Sequence, residues 1–100
     1  MANQIGLGAN PIRVDTAATV ITSAAPIFVQ AMQWVDDENS AAGIVAAGDD
    51  LVMTVNGTLV ELNAQIAMTL IWEVSFNQPI RINDLIVSAI DGGTLLIWKV

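Results

Sequence analysis

The sequence predicts an all-β chain: a single-domain antiparallel β-sandwich, jelly-roll-like or immunoglobulin-like, of seven or eight short strands. Three observations predict it. Apolar residues alternate with small or polar ones at the two-residue period of a strand. Turn signals recur at short intervals, the clearest being Asn56-Gly57 and Asp91-Gly92-Gly93. No stretch carries the three-to-four residue spacing of an amphipathic helix.

Residues 1–10 (MANQIGLGAN) are polar and glycine-rich without periodicity, and predict a flexible arm or edge segment ahead of a domain over 11–100. Pro11 to Asp15 reads as a short first strand. Ala17 to Ala25 is small and β-branched, which suits extended backbone, and Pro26 punctuates it. Ile27 to Val35 reads as a strand covered on both sides. Phe28, Gln30, Met32 and Trp34 share one face, and Ile27, Val29, Ala31, Gln33 and Val35 the other. Asp36 to Ser40 breaks it, and Ala41 to Gly48 is a connection of small residues. Leu51–Val55 and Thr58–Leu62 flank Asn56-Gly57, a pair that tolerates the positive φ angles of a type I′ hairpin turn. Ala67 to Phe76 puts Met68, Leu70, Trp72, Val74 and Phe76 on one face, and Asn77-Gln78-Pro79 ends it. Leu85–Ile90 and Thr94–Val100 read as a second hairpin around Asp91-Gly92-Gly93.

Composition bounds the function. At 100 residues there is room for one core. The chain is 54% hydrophobic and 13% charged, where soluble domains average about 25% charged. No apolar run approaches the roughly 18 residues of a membrane span, so no membrane partner is expected. The apolar surplus must then face something other than water, and copies of the same chain are the expected cover. Ten acids against three bases give a formal charge of −7, which repels phosphate backbones and argues against nucleic acid. There is no cysteine, so neither disulfides nor thiolate metal sites are available. The first residues lack a basic segment followed by an apolar one, which predicts synthesis in the cytoplasm without a secretory signal.

The chemical inventory is thin. With no His, Cys or Tyr, the usual general base, thiol nucleophile and imidazole metal ligand are missing. No catalytic residue, cofactor or metal is therefore expected. Asp15-Thr16-Ala17 resembles the Asp-Thr-Gly loop of dimeric aspartic proteases, but alanine stands in place of glycine and no second matching element lies near the C-terminus. A strand-end aspartate bonding its own turn explains it more simply. The carboxylates at 36–38 and 49–50 are oxygen ligands of the type Ca²⁺ takes, yet their spacing matches no EF-hand loop and solvated loops suffice. Glu61 and Glu73 read as charges on exposed strand faces rather than a glycosidase pair. Gly6-Leu7-Gly8 lacks the strand and helix of a dinucleotide loop, and the Asn56-Gly57-Thr58 sequon is a turn. Trp34, Trp72 and Trp98 have the chemistry to line a sugar-binding surface, but each occupies a core-like strand position.

Several segments taken together resemble a known family. Arg13-Val14-Asp15-Thr16-Ala17, then Gln33-Trp34-Val35 before an acidic loop, then Asp50-Leu51-Val52-Met53-Thr54 with Gly57 and Leu59-Val60-Glu61, and finally Leu85-Ile86-Val87 with Asp91-Gly92-Gly93-Thr94-Leu95-Leu96-Ile97 recur in that order. This layout, over residues 11–100, is similar to small jelly-roll virion proteins of tailed bacteriophages, of the capsid decoration or cement type. The chain departs from it in being more apolar over Ala64 to Ile71. The resemblance implies a non-enzymatic virion protein on the capsid surface, a homo-oligomer (a trimer in the best-known cases) bound to the major capsid protein. A phage-borne lectin-like or host-attachment module, using loops 36–42 and 63–66 with Trp34, and a neck or tail component are the alternatives. The doubly apolar strands nominate Ile71, Leu95 and Ile97 as interface residues, and the arm nominates Ile5 and Leu7.

Overall fold

A computed structural model of the chain describes residues 3, 5, 9–37, 39–66 and 69–100. Gly6, Leu7, Gly8, Glu38, Ala67 and Met68, read above, lie outside the described residues, as do Met1, Ala2 and Gln4 of the arm. Eight strands form: β1 (Ile12–Val14), β2 (Ala18–Ile21), β3 (Ile27–Val35), β4 (Asp50–Val55), β5 (Thr58–Asn63), β6 (Leu70–Ile82), β7 (Leu85–Ile90) and β8 (Thr94–Lys99). They build two four-stranded antiparallel sheets, ordered β1-β8-β3-β6 and β2-β7-β4-β5. β1 pairs with β8, β2 with β7, β3 with β6 and β4 with β5. This nesting of first with last inward to the middle is the strand order of a jelly roll. No helix occurs among the described residues.

Alternation places the core between the sheets. Ile12, Val14, Leu95, Ile97, Met32, Trp34 and Ile82 come from one sheet, and Val20, Ile21, Leu85, Val87, Leu51 and Met53 from the other. Trp34 sits at the centre of its sheet, opposite Leu95 on one side and Trp72 on the other. The Asn56-Gly57 turn forms as its residues dictate, with φ of 50° and 82°.

Three readings of the strands are corrected. β3 does not keep one phase: its register breaks between Val29 and Ala31, against both neighbours. The extra residue turns Val29 and Met32 to the core together and leaves Phe28 and Gln30 exposed. β6 does not end at Pro79. The chain bulges past Phe76 to Pro79 and pairs with β3 again through Ile80, Arg81 and Ile82, since proline is tolerated on an edge strand that leaves its nitrogen unpaired. β7 and β8 are no hairpin. β7 pairs with β2 and β4, β8 with β1 and β3, and Asp91-Gly92-Gly93 crosses between the sheets.

Both glycines of that crossing are needed, for different reasons. Gly93 has φ of 73°, and a Cβ on it would stand 2.3 Å from the Val35 carbonyl oxygen. Gly92 is instead a close approach: a Cβ there would stand 2.6 Å from both the Ile44 carbonyl oxygen and Asp49 Oδ2. The 36–49 connection, which forms no strand among its described residues, packs over the crossing.

Strands that alternate in direction sort the loops onto two ends. The described residues of loops 15–17, 36–49, 64–69 and 91–93 share one end, and loops 22–26, 56–57 and 83–84 the other. The short link between β1 and β2, and that between β5 and β6, stack those edges in pairs. The sandwich thus has a β1/β2 side and a β5/β6 side.

Candidate functional surfaces

The nominated interface residues separate once placed. Leu95 and Ile97 are 0% exposed, because β8 is flanked by β1 and β3 and these residues face the opposite sheet. They are core, and offer no surface to a neighbour. Ile71 is half-buried, the extra residue at the β6 bulge opposite Trp34 and Val35. Ile5 is 39% exposed and lines a cleft on the β1/β2 side with Ile12, Val20 and Ile21. Described arm residues bond back to their own domain. Asn3 Oδ1 accepts from the backbone N–H of Asp15 (2.7 Å), and Asn10 Oδ1 accepts from that of Lys99 (2.9 Å).

The end bearing loops 15–17, 36–49, 64–69 and 91–93 collects Asp15, Asp36, Asp37, Asp49, Asp50 and Asp91. Their oxygens hold the loops together. Asp15 accepts from the N–H of Ala41 (3.0 Å), Asp36 from Val45 (3.0 Å), Asp49 from Ala46 (2.8 Å) and Asp91 from Asp50 (2.9 Å). Asp50 in turn accepts from Asn63 Nδ2 (2.6 Å). Asp37 accepts from the N–H of Asn39 (2.9 Å), from Thr94 Oγ1 (3.1 Å) and from the Arg13 guanidinium. The Asn39 N–H is the main reason its carboxyl is held below the ordinary value; burial opposes it, and Thr94 and Arg13 add to the lowering. Beneath these carboxylates, Trp34 Nε1 donates to the Gly92 carbonyl (2.9 Å) and Ser40 Oγ to that of Gly93. Among the described residues, no three acids converge on a point that would hold a metal ion.

The opposite end is tied by one neutral side chain. Asn56 Oδ1 accepts from the N–H of Asn83 (2.8 Å) and Asp84 (3.3 Å), while its Nδ2 donates to the Arg81 carbonyl (3.2 Å). Arg81 and Lys99 lie toward this end.

Apolar surface is exposed on the outer face of the β1-β8-β3-β6 sheet. An open groove of about 710 Å³ runs between Pro26, Phe28, Pro79, Lys99 and Val100. Beside it, half-buried Trp98 lines a second open pocket with Gln30, Gln33 and Phe76, its Nε1 donating to Gln33 Oε1 (3.0 Å).

No protein-family model matches the chain, and neither a curated protein nor a solved structure matches it.

Trp34, nominated above for ligand contact, is buried and its indole N–H is committed to Gly92, so it presents no platform. Trp98 is the tryptophan with an outward position. Trp98, read above as core-like, is corrected: Leu95 and Ile97 take the core face of β8, and strand alternation turns Trp98 to the other side. Phe28 was missed, because nothing in the sequence marks the bulge that turns it outward.

Proposed function

We propose that this chain is a non-enzymatic structural protein of a tailed-bacteriophage virion, which associates with copies of itself and docks on the capsid exterior through the major capsid protein. The observation that carries this reading is the jelly-roll strand order, in a chain whose motif layout is similar to that of jelly-roll cement proteins. The surroundings of the acids support it. Carboxylates that would have to serve as acid or base are engaged with backbone N–H groups of their own loops. Exposed Phe28, Leu59, Ile44 and Ile66 add apolar surface suited to contact with protein.

The mechanism is mass action. A protein that binds the assembled shell and not its separated subunits stabilises the shell in proportion to occupancy. Mass spectrometry of gradient-purified particles should find the chain at a copy number comparable to the major capsid subunit. A few copies per particle would move it to the neck or tail, and absence from particles would overturn the reading.

A second reading, glycan binding, is favoured by the half-buried Trp98 ring beside the amides of Gln30 and Gln33. Aromatic faces stack on sugars while amides bond their hydroxyls. Saturable binding on a glycan array, lost in Trp98→Ala, would establish it.

A further inference from the structure

The two open sides of the sandwich are finished differently. On the β1/β2 side, Ile12, Val20 and Ile21 are buried, with Ile5 and Ala9 of the arm beside or against them. On the β5/β6 side, Val60, Leu62, Trp72, Val74 and Phe76 reach the core yet stay half-exposed. The strand edges differ as well. β1 has three residues, and β2 has four with a register break. β6 is broken twice and carries Pro79. These are devices that discourage edge-to-edge pairing. β5 is the least protected of the four: six residues in unbroken register, without proline or lysine, and with Glu61 as its one charge.

We infer that β5 is the seam at which two copies of this chain pair, antiparallel about a two-fold axis through Val60, to give one continuous eight-stranded sheet. The inference deepens the self-association proposed above, and replaces the trimer that the resemblance implies with a two-fold pair.

Backbone phase comes first. A two-residue type I′ turn makes Val55 and Thr58 a hydrogen-bonded pair, so the even-numbered residues of β5 bond β4. The N–H of Ala64, donating to the Asp49 carbonyl (2.8 Å), keeps that phase. The N–H and C=O groups of Leu59 and Glu61 therefore point away from β4.

Charge then selects the register. A two-fold pairing that keeps both outer faces on one side must centre on a single residue. Centred on Glu61, it opposes two carboxylates, which is destabilising. Centred on Leu59, it runs Glu61 into the Gly57 turn and shortens the overlap. Centred on Val60, it sets Leu59, which is 59% exposed, opposite Glu61 twice. Each of those pairs exchanges both backbone hydrogen bonds, and Val60 meets Val60 across the axis.

Charge also selects the occupant. Antiparallel pairing lays the acidic loop end of one copy beside the partner's opposite end, where Arg81 stands exposed on the neighbouring β6 edge. The half-exposed apolar seams of the two copies come together in the same step.

The test is solution mass by light scattering at micromolar concentration, which is independent of whether the chain is found in particles. The wild-type chain should weigh twice 10.6 kDa. Leu59→Glu places like charges opposite each other twice and should weaken the pair about tenfold or more. Leu59→Glu with Glu61→Lys should restore it. Glu61→Pro removes an N–H that β4 does not use, and should give a monomer with an unchanged circular-dichroism spectrum. A wild-type monomer overturns the inference and leaves the edge to a foreign strand. A trimer, a dimer indifferent to Leu59→Glu and Glu61→Pro, or failure of the charge-swapped double variant to recover also overturns it.

Discussion

The two ends of the sandwich solve one problem with different chemistry. Each must satisfy backbone N–H groups in loops that have left the sheet ladders. The end with the long 36–49 loop does so with carboxylates, chiefly Asp15, Asp36, Asp37, Asp49 and Asp91. The other end does so with the neutral amide of Asn56, which reaches Arg81, Asn83 and Asp84. The carboxylates of the long-loop end are thus structural, and Asp37, held below its ordinary value, is the group whose contribution there depends on pH.

The largest effect should come from Gly93→Ala. It forces a Cβ against the Val35 carbonyl in a backbone conformation that L residues avoid, at a cost of about 4 kcal/mol or more. Urea denaturation should show either a much lower midpoint or no folded protein. A cost below about 1 kcal/mol would mean that the crossing is looser than its packing.

Asn56→Ala should cost about 2 kcal/mol, through lost hydrogen bonds and the positive φ at that position. Because the group is neutral, the cost should be the same at pH 7 and pH 4. A cost that changes across that range would break the contrast between the ends.

Asp37→Asn should behave in the opposite way. The folded carboxyl titrates below its unfolded value, so its contribution is complete above the unfolded pKa, about 3.9. It is lost as pH falls through the lower, folded value. Chemical denaturation at several pH values should show a difference from wild type of about 1 kcal/mol near neutrality, shrinking toward zero in acid. A constant difference would mean that the loss is one of packing.

The smallest effect should be Arg81→Gln, within about 0.5 kcal/mol. The Asn56 clamp takes only the Arg81 carbonyl, which the substitution keeps.

Strand positions were legible where period and turn chemistry agree. The Asn56-Gly57 hairpin and the spans of β7 and β8 follow directly from alternation. The partners of β7 and β8 did not: a short glycine link suits a hairpin and a sheet-to-sheet crossing equally, and the choice is made by Trp34, Ser40 and the 44–49 loop closing over Gly92 and Gly93. Bulges were equally silent. An extra residue at Gln30 costs the sequence nothing visible, yet it turns Phe28 from the core to the surface. The interface nominations failed at Leu95 and Ile97 for a related reason. A strand apolar on both faces can be central in its own sheet, and period alone does not tell this from burial against a neighbour.

The nesting of β1 with β8 has a consequence for the order in which the molecule is made. β1 ends at Val14, and its strand partner begins only at Thr94, set between β1 and β3. On the ribosome, the first strand emerges well ahead of β8 and waits, while β2 to β7 are made, for the hydrogen bonds that fix it. The β4–β5 hairpin needs no such delay, since its halves adjoin. Closure of the β1-β8-β3-β6 sheet is therefore a late event, paced by translation and by long-range loop closure rather than by local turn formation.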